Sequence, residues 1–490
     1  MIFVSFRNLN KLIKHMNNYA PIFLGVLALF ISCGSPKQEI HIHDRHVHSY
    51  SVIKEYIGVS SSPPILILMD HHHDIGPDSR NNSTHSVWQS WPPEKIQSFN
   101  WIGGLLLEGI ISSVYWVPEF SMGKPEYEVK IAWLERAFSM MPPHIADQIR
   151  GKIQVMDMRH IEKAKLPKGF ILSIDLDIFA FENNLPPGDF LRSVAKWMNK
   201  QKPRLVTIAL SGAYQNNSSD MYSFLEETVQ ALPSGTLLYL ESETAMQSES
   251  FEEMYRWQLY VPDIRPDPWI WYSMPEECVK LFRKKNVIIK GENRENIMAV
   301  WNDPVYKKLQ ESYNLEKQRE ILQAARKSIF RVWKNDEMPD LPPPGTNEGL
   351  AIRLLVHGED RGCLTWYKNS GDMELFAAYC AAEALRDPRY KAVRAEEAEE
   401  TILELTIFGD WEDISNPWDF IPGYHNLWLG NGVHDTILQA SLAPQRHYEK
   451  EAFLDSICGK AGLNKNAWKE NKNLKWRRSP GLWYAEALQP

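Results

Sequence analysis

The segment ILILMDHHHD, residues 65–74, decides the fold of the first half of this chain. Its first half is a short, continuous apolar run, which is typical of a strand that is buried in a parallel sheet. Its second half, DHHHD at 70–74, is polar and follows the end of this apolar run. In an extended segment, residues i, i+2 and i+4 point to one side, so Asp70, His72 and Asp74 are predicted to converge at the end of this strand.

Similar apolar runs recur along residues 38–290, separated by longer amphipathic stretches. They read VYWV at 114–117, FILSI at 170–174, LVTIAL at 205–210 and LLYL at 237–240. Such alternation predicts an α/β three-layer domain with a parallel sheet and crossover helices. In such sheets, ligands bind beyond the carboxyl ends of the strands, and several of these runs end there in polar residues.

Two more polar groups follow strand-like runs. Asp175 and Asp177 come directly after FILSI, and His46 follows the short run Ile40-His41-Ile42. Four carboxylates and two imidazoles suit two ions of Mn, Fe, Co or Zn better than Ca or Mg. Two such ions lower the pKa of a bound water toward ~7, which favours hydrolysis. Each segment alone has a plainer interpretation, as a solvated turn or a structural acidic pair.

The motifs DHHHD at 70–74 and SIDLD at 173–177 resemble the DxHxD and SxDxD motifs of the arginase, agmatinase and deacetylase superfamily. Together with DRH at 44–46 and SFNWI at 98–102, they resemble an uncharacterised-protein family of that superfamily, over residues 38–245. The resemblance implies an arginase-like fold. It also implies one metal on His46, Asp70, Asp74 and Asp175, and a second on Asp70, His72, Asp175 and Asp177.

The function that this resemblance implies is hydrolysis of a C–N bond in a small-molecule substrate of guanidino or amide type. Two divalent ions are expected, with Mn first and Zn or Fe as the alternatives. Two other hypotheses stay open. One is a mononuclear zinc deacylase on the same fold, and the other is a non-catalytic metal-binding or scaffold protein whose second domain is the functional part.

Two residues outside the metal set are candidates for catalysis. His85 follows the DHHHD segment, in a place where arginase-like enzymes carry a loop histidine, and would shuttle the proton to the leaving group. Glu241 ends the LLYL run, where it would recognise a cationic group of the substrate. The alternatives are a polar loop histidine without a role and a helix-capping acid.

Residues 291–319 are charged and helical in pattern, and predict a connector to a second domain at 320–487. In that domain, residues 373–386 predict a helix and residues 401–408 a strand, which together favour an α+β fold. The ordered series RGCL at 361–364, DPRY at 387–390, GYH at 423–425 and WYAE at 483–486 resembles the AMME chromosomal-region protein family. Cys363 and His425 are the candidates for chemistry there, although free cysteines are more often buried packing residues.

The first 33 residues predict a leader. A basic stretch precedes an apolar run at 20–31, which ends in FISCG at 30–34, similar to a bacterial lipoprotein cleavage site with Cys33 as the acylated residue. The expectation is export and membrane anchoring through that lipid, and the alternative is a cytoplasmic protein. A net charge of −8 argues against a nucleic-acid partner. The oligomeric state is left open.

Overall fold

The computed structural model describes residues 38–58, 62–76, 96, 99–179, 187–212, 215, 218–232, 236–242, 267–335, 337–342, 349–366, 372–430, 432, 435–446 and 448–486. The predicted leader with Cys33, and the loop histidine His85, lie outside these ranges. Among the helices that the structure describes, none has both the length and the apolar character that a membrane crossing requires.

The N-terminal half is built on a parallel sheet that has eight strands within the described ranges. The strands are β1 (Glu39–His43), β2 (Ile65–Met69), β3 (Ser113–Val117), β4 (Ile153–Val155), β5 (Ile171–Asp175), β6 (Leu205–Ala209), β7 (Leu237–Glu241) and β8 (Ile288–Lys290). Their spatial order is β4-β3-β2-β5-β6-β1-β7-β8. The predicted parallel α/β sheet is thus confirmed.

Helices connect these strands. They are α1 (His48–Ile57), α2 (Trp101–Leu107), α3 (Lys124–Ser139), α4 (Pro143–Ile149), α5 (Met158–Lys163), α6 (Pro187–Gln201), α7 (Ser218–Ala231), α8 (Trp269–Tyr272) and α9 (Glu276–Lys284). Sequence reasoning missed β4 and β8, because each has three residues with an exposed position and neither lies in an apolar run of four or more residues.

The strand order brings the polar strand ends together. Asp175 pairs in register with Ala209 of β6, which pairs with His43 of β1. On the other side of β5, Ile174 pairs with Met69 of β2. The residues that follow β2, β5, β6 and β1 therefore lie side by side at the carboxyl edge of the sheet.

The C-terminal half is built on an antiparallel sheet. Its described strands are β9 (Gly349–Val356), β10 (Glu359–Trp366), β11 (Thr401–Phe408), β12 (Glu412–Ile414), β13 (His425–Gly430), β14 (Asp435–Leu438) and β15 (Lys475–Ala485). Their order is β10-β9-β11-β15-β13-β14, with β12 beside β15. The accompanying helices are α10 (Arg294–Asn302), α11 (Pro304–Ser312), α12 (Leu315–Asn335), α13 (Met373–Ala384), α14 (Leu442–Arg446), α15 (Lys450–Lys460) and α16 (Ala467–Glu470).

The two halves share buried contacts. One cluster of buried apolar side chains includes Ile42 of β1, Trp301 of α10 and Leu354 of β9. Trp269 packs so closely on Gly423 that a Cβ there would meet its indole at 2.0 Å. The segment predicted as a connector, 291–319, forms α10, α11 and the start of α12, and is part of this shared core.

Candidate metal centre

Three carboxylates surround the imidazole of His46. Its Nδ1 atom lies 3.0 Å from Asp70 Oδ2, 3.1 Å from Asp74 Oδ2 and 3.1 Å from Asp175 Oδ2. All four side chains are buried, since none exposes more than 8% of its surface. His46, Asp70 and Asp175 each offer a ligand atom within 4.8 Å of the others, which is the spacing of a candidate metal site.

A second group of ligand atoms shares Asp70 with the first. Asp70, His72 and Asp177 also offer atoms that lie within 4.8 Å of one another. His72 Nδ1 is 2.8 Å from Asp177 Oδ2 and 3.8 Å from Asp70 Oδ1. The six residues predicted from sequence thus come together from three strand ends, as two adjacent groups that meet at Asp70.

Several of these atoms are buried without a hydrogen bond. His46 Nδ1, Asp70 Oδ2 and Asp177 Oδ1 have no hydrogen-bond partner, although the contacts around His46 are short. Buried polar groups are normally satisfied, because leaving one unpaired costs about 1–3 kcal/mol. Converging unpaired nitrogen and oxygen atoms form a donor set that a divalent cation fits.

The pKa values of the clustered side chains also indicate a cation site. Burial, followed by the charges of Asp74 and Asp177, raises the pKa of Asp70 well above its usual range. Burial alone would lower the pKa of His46, but the carboxylates, Asp175 first, outweigh it and raise that pKa well above its usual range. Protons therefore compensate for crowded negative charge here, and a bound cation would do the same.

Neighbouring side chains hold the ligands in place. Ser211 donates to Asp175 Oδ2 at 2.6 Å, and the indole of Trp101 donates to Asp74 Oδ2 at 2.7 Å. His46 Nε2 lies 2.8 Å from Ser173 Oγ, so that with a cation bound Nε2–H would donate to Ser173 and Nδ1 would offer its lone pair to the ion. Nothing in the sequence indicates this contact of Trp101, since only the folded chain brings its indole to Asp74.

The backbone at this edge is strained. Asp74 has a φ of 49° and Ser211 a φ of 44°, in the left-handed region that few non-glycine residues adopt. Such conformations cost of order 1–3 kcal/mol each and concentrate at functional sites. Both strained residues act on the cluster, Asp74 directly and Ser211 through Asp175.

We expect Ser173→Ala to weaken divalent-metal binding about 10- to 100-fold, because the substitution removes the group that orients the His46 ring. The measurement is the dissociation constant for Mn²⁺ from competition with a chromogenic chelator. Ser139→Ala, at an exposed position in α3, is the control and should leave the constant unchanged. Equal affinities for the two variants would contradict this role for Ser173.

Glu241 lies outside the two metal groups. Its carboxylate binds His41 Nδ1 at 2.5 Å and Lys290 Nζ at 3.1 Å. Burial would raise the pKa of Glu241, but His41 and Lys290 outweigh it and lower that pKa. This carboxylate therefore joins β1, β7 and β8, and its contact with a cationic group of the substrate stays a prediction.

Cys363 lies on β10 and His425 on β13, with β9, β11 and β15 between these strands in the sheet order. The Cys363 thiol is buried and accepts from the Gln439 amide at 3.3 Å. His425 Nδ1 accepts the backbone N–H of Ile421 at 2.8 Å. Burial, aided by Arg478 and Lys450, lowers the pKa of His425 well below its usual range, which favours the neutral imidazole.

The C-terminal half is thus an α+β domain with buried polar groups on an antiparallel sheet. Residues 304–478 match the AMMECR1 family. A Methanosarcina acetivorans protein is 32% identical over 164 residues, which cover 31% of this chain and 82% of that protein. Protein Mbar_A1807 of Methanosarcina barkeri is 28% identical over 164 residues, covering 31% and 81%.

The chain therefore belongs to the AMMECR1 family through its C-terminal part, as the ordered motifs from RGCL to WYAE predict. The match begins at residue 304, in α11, whereas the sequence prediction placed the start of the domain at 320. Among solved structures, the crystal structure of uncharacterized protein PH0010 from Pyrococcus horikoshii is similar. It is 22% identical and covers 34% of this chain and 89% of that chain, with a TM-score of 0.30.

Proposed function

We propose that the six side chains hold two divalent cations, and that the N-terminal half is a metal-dependent hydrolase of C–N bonds. The observation that supports this most directly is that Asp70 belongs to both groups of ligand atoms. A carboxylate shared between two groups of ligand atoms would suit two ions about 3.5–4 Å apart. The arginase-like resemblance of the motifs supports the same proposal.

The donor set indicates which cations would fit. Carboxylate oxygens mixed with imidazole nitrogens suit Mn, Zn or Fe, and we propose Mn first. As the motif resemblance implies, one ion would be held by His46, Asp70, Asp74 and Asp175, and the other by Asp70, His72, Asp175 and Asp177. When bound, ions of this kind would lower the pKa of a water molecule, which would then supply hydroxide as the nucleophile.

Backbone groups of the chain hold the candidate ligands in fixed orientations. Two backbone N–H groups fix the carboxylates, since His72 N–H donates to Asp70 Oδ1 at 2.7 Å and Asp177 N–H donates to Asp175 Oδ1 at 3.0 Å. Each carboxylate thereby keeps its second oxygen for the cluster. Ligands held in this way need little rearrangement when a cation binds, which favours tight binding.

The test is metal stoichiometry of the purified full chain, by mass spectrometry of the elements after dialysis against Mn²⁺. We expect two equivalents for the unaltered protein and one for Asp177→Ala, because that substitution removes a ligand of the second ion alone. Asp147→Ala, at an exposed position in α4, is the matched control and should keep two equivalents.

Other results of this metal measurement would favour the alternative functions. One equivalent that Asp177→Ala does not reduce favours a mononuclear zinc deacylase. A chain that holds two ions and hydrolyses no guanidino, amide or acetylamine compound favours a non-catalytic metal-binding protein. A chain that binds no metal contradicts the proposal altogether.

A further inference from the structure

A lysine lies buried beside the candidate metal centre. Lys130 of α3 exposes only 3% of its surface. Its ammonium lies 4.2 Å from the ring centre of Trp133 and 5.7 Å from that of Trp116. Its ion pair with Glu119 is 3.8 Å long, which is beyond hydrogen-bond distance. A buried ammonium is costly unless anions and hydrogen-bond acceptors surround it.

The aromatic rings around Lys130 also contact the metal-ligand segment. The Trp116 indole donates to the backbone carbonyl of Asp70 at 2.8 Å. Trp133 meets the ring of His71 edge-on, with the centroids 5.6 Å apart, and His71 in turn meets His72. The two aromatic neighbours of Lys130 therefore also contact the segment that carries Asp70 and His72, at the carboxyl edge of the sheet.

Charge links Lys130 to the same ligands. Burial lowers the pKa of Lys130, and Glu119, Asp70 and Asp177 oppose that effect in this order. Cations bound at Asp70 and Asp177 would cancel the field of these two carboxylates. Glu119, 3.8 Å away, would then be the anion that still acts on Lys130, so an additional anion would bind favourably there.

We propose that Lys130 is a specificity-determining residue whose ammonium binds a carboxylate of the small-molecule substrate. This inference rests on the proposed function, since it places the scissile C–N bond at the metal centre. It narrows the substrate class to acids that carry an amide or guanidino group near a carboxylate. A charge-assisted bond from a caged, positioned ammonium would fix the orientation of such a molecule.

The test is calorimetric titration of the Mn²⁺-loaded full chain with two acids, N-acetylglycine and guanidinoacetate. Their counterparts without the carboxylate, N-acetylglycinamide and methylguanidine, are the matched ligands. We expect at least one acid to bind tenfold or more tightly than its counterpart. Lys130→Met should weaken that acid about 10- to 100-fold, as expected for loss of a hydrogen bond to a charged group.

Two further variants separate charge from folding. Lys130→Arg keeps a cation and should retain part of the affinity, while Lys124→Met removes an exposed charge from the same helix and should change nothing. Metal stoichiometry, measured on every variant, tests the proposed function separately and should stay at two. Equal binding of acids and counterparts, or undiminished binding by Lys130→Met, would overturn the role of Lys130 while leaving the metal centre intact.

Discussion

Replacing Asp70 with asparagine is expected to change the stability of the protein in opposite directions with and without divalent metal. In excess Mn²⁺ the unaltered chain should be the more stable one. Asp70 belongs to both groups of ligand atoms, so Asp70→Asn should abolish binding of both ions. A ligand present at 100 times its dissociation constant stabilises a folded protein by about 2.7 kcal/mol, and the variant would lose that gain.

In the presence of a chelator, Asp70→Asn should be more stable than the unaltered chain. The pKa of Asp70 is raised in the folded chain, so its charged form is penalised there relative to the unfolded chain. A group of this kind destabilises the folded chain only where it must ionise. Its full contribution to stability is present below the pKa that it has in the unfolded chain, near 3.9, and is lost as pH rises through its pKa in the folded chain. Asparagine resembles the neutral acid and carries no such penalty. The advantage of the variant should therefore widen as pH rises above about 4.

Thermal unfolding of both proteins, in Mn²⁺ and in EDTA, at several pH values, checks this expectation. Asp147→Asn, at an exposed position, is the control and should follow the unaltered protein throughout. If Asp70→Asn is less stable than the unaltered chain in EDTA as well, then the cluster is an ordinary hydrogen-bonded network. That outcome would remove the electrostatic argument for a cation.

The sequence predicts that the candidate metal ligands lie together at one sheet edge, because two local rules apply to them. An apolar run ends at a definite residue, and alternation along an extended strand fixes which neighbours face one side. These rules, with the arginase-like resemblance, suffice for Asp70, His72, Asp175 and Asp177. The topology then places them together, because parallel strands present all their carboxyl ends at one edge.

Residues that reach the cluster from elsewhere follow no such rule. Trp101 opens α2 and Lys130 lies within α3, and nothing local in either helix indicates contact with a strand end. Glu241 shows the opposite case, since it follows the strand-end rule but pairs with His41 and Lys290. Side-chain pairing across a sheet depends on strand order, which local patterns do not determine.

The same limit applies to the buried polar row of the C-terminal sheet. Cys363, Arg353 and Glu404 are neighbours in register across β10, β9 and β11. Arg353 Nη1 donates to Glu404 Oε1 at 2.8 Å, and both residues are at least 95% buried. In the sequence, Glu404 is one acidic residue within the strand TILELTIF, residues 401–408. Its pairing with Arg353 depends on how the strands pair, so the sequence does not predict it.

We expect Arg353→Met to lower the free energy of unfolding of the AMMECR1-family domain by about 3–5 kcal/mol. The substitution leaves Glu404 buried without its cation, and also removes the guanidinium that binds Asp360 Oδ1 at 2.5 Å. Ser441 still donates to Glu404 Oε1 at 2.6 Å, but a hydroxyl cannot replace a full positive charge. The loss therefore exceeds that of an ordinary core substitution of similar volume.

Urea denaturation of the full chain, followed by circular dichroism, measures this loss, and a second substitution identifies its cause. Arg353→Met combined with Glu404→Met should recover most of the stability, because replacing both members of a buried ion pair with apolar groups is often neutral. Lys469→Met, which breaks an exposed pair with Glu451, should cost less than about 1 kcal/mol. If the double variant is no more stable than Arg353→Met, the loss comes from packing, and the charge of Glu404 is not what the arginine neutralises.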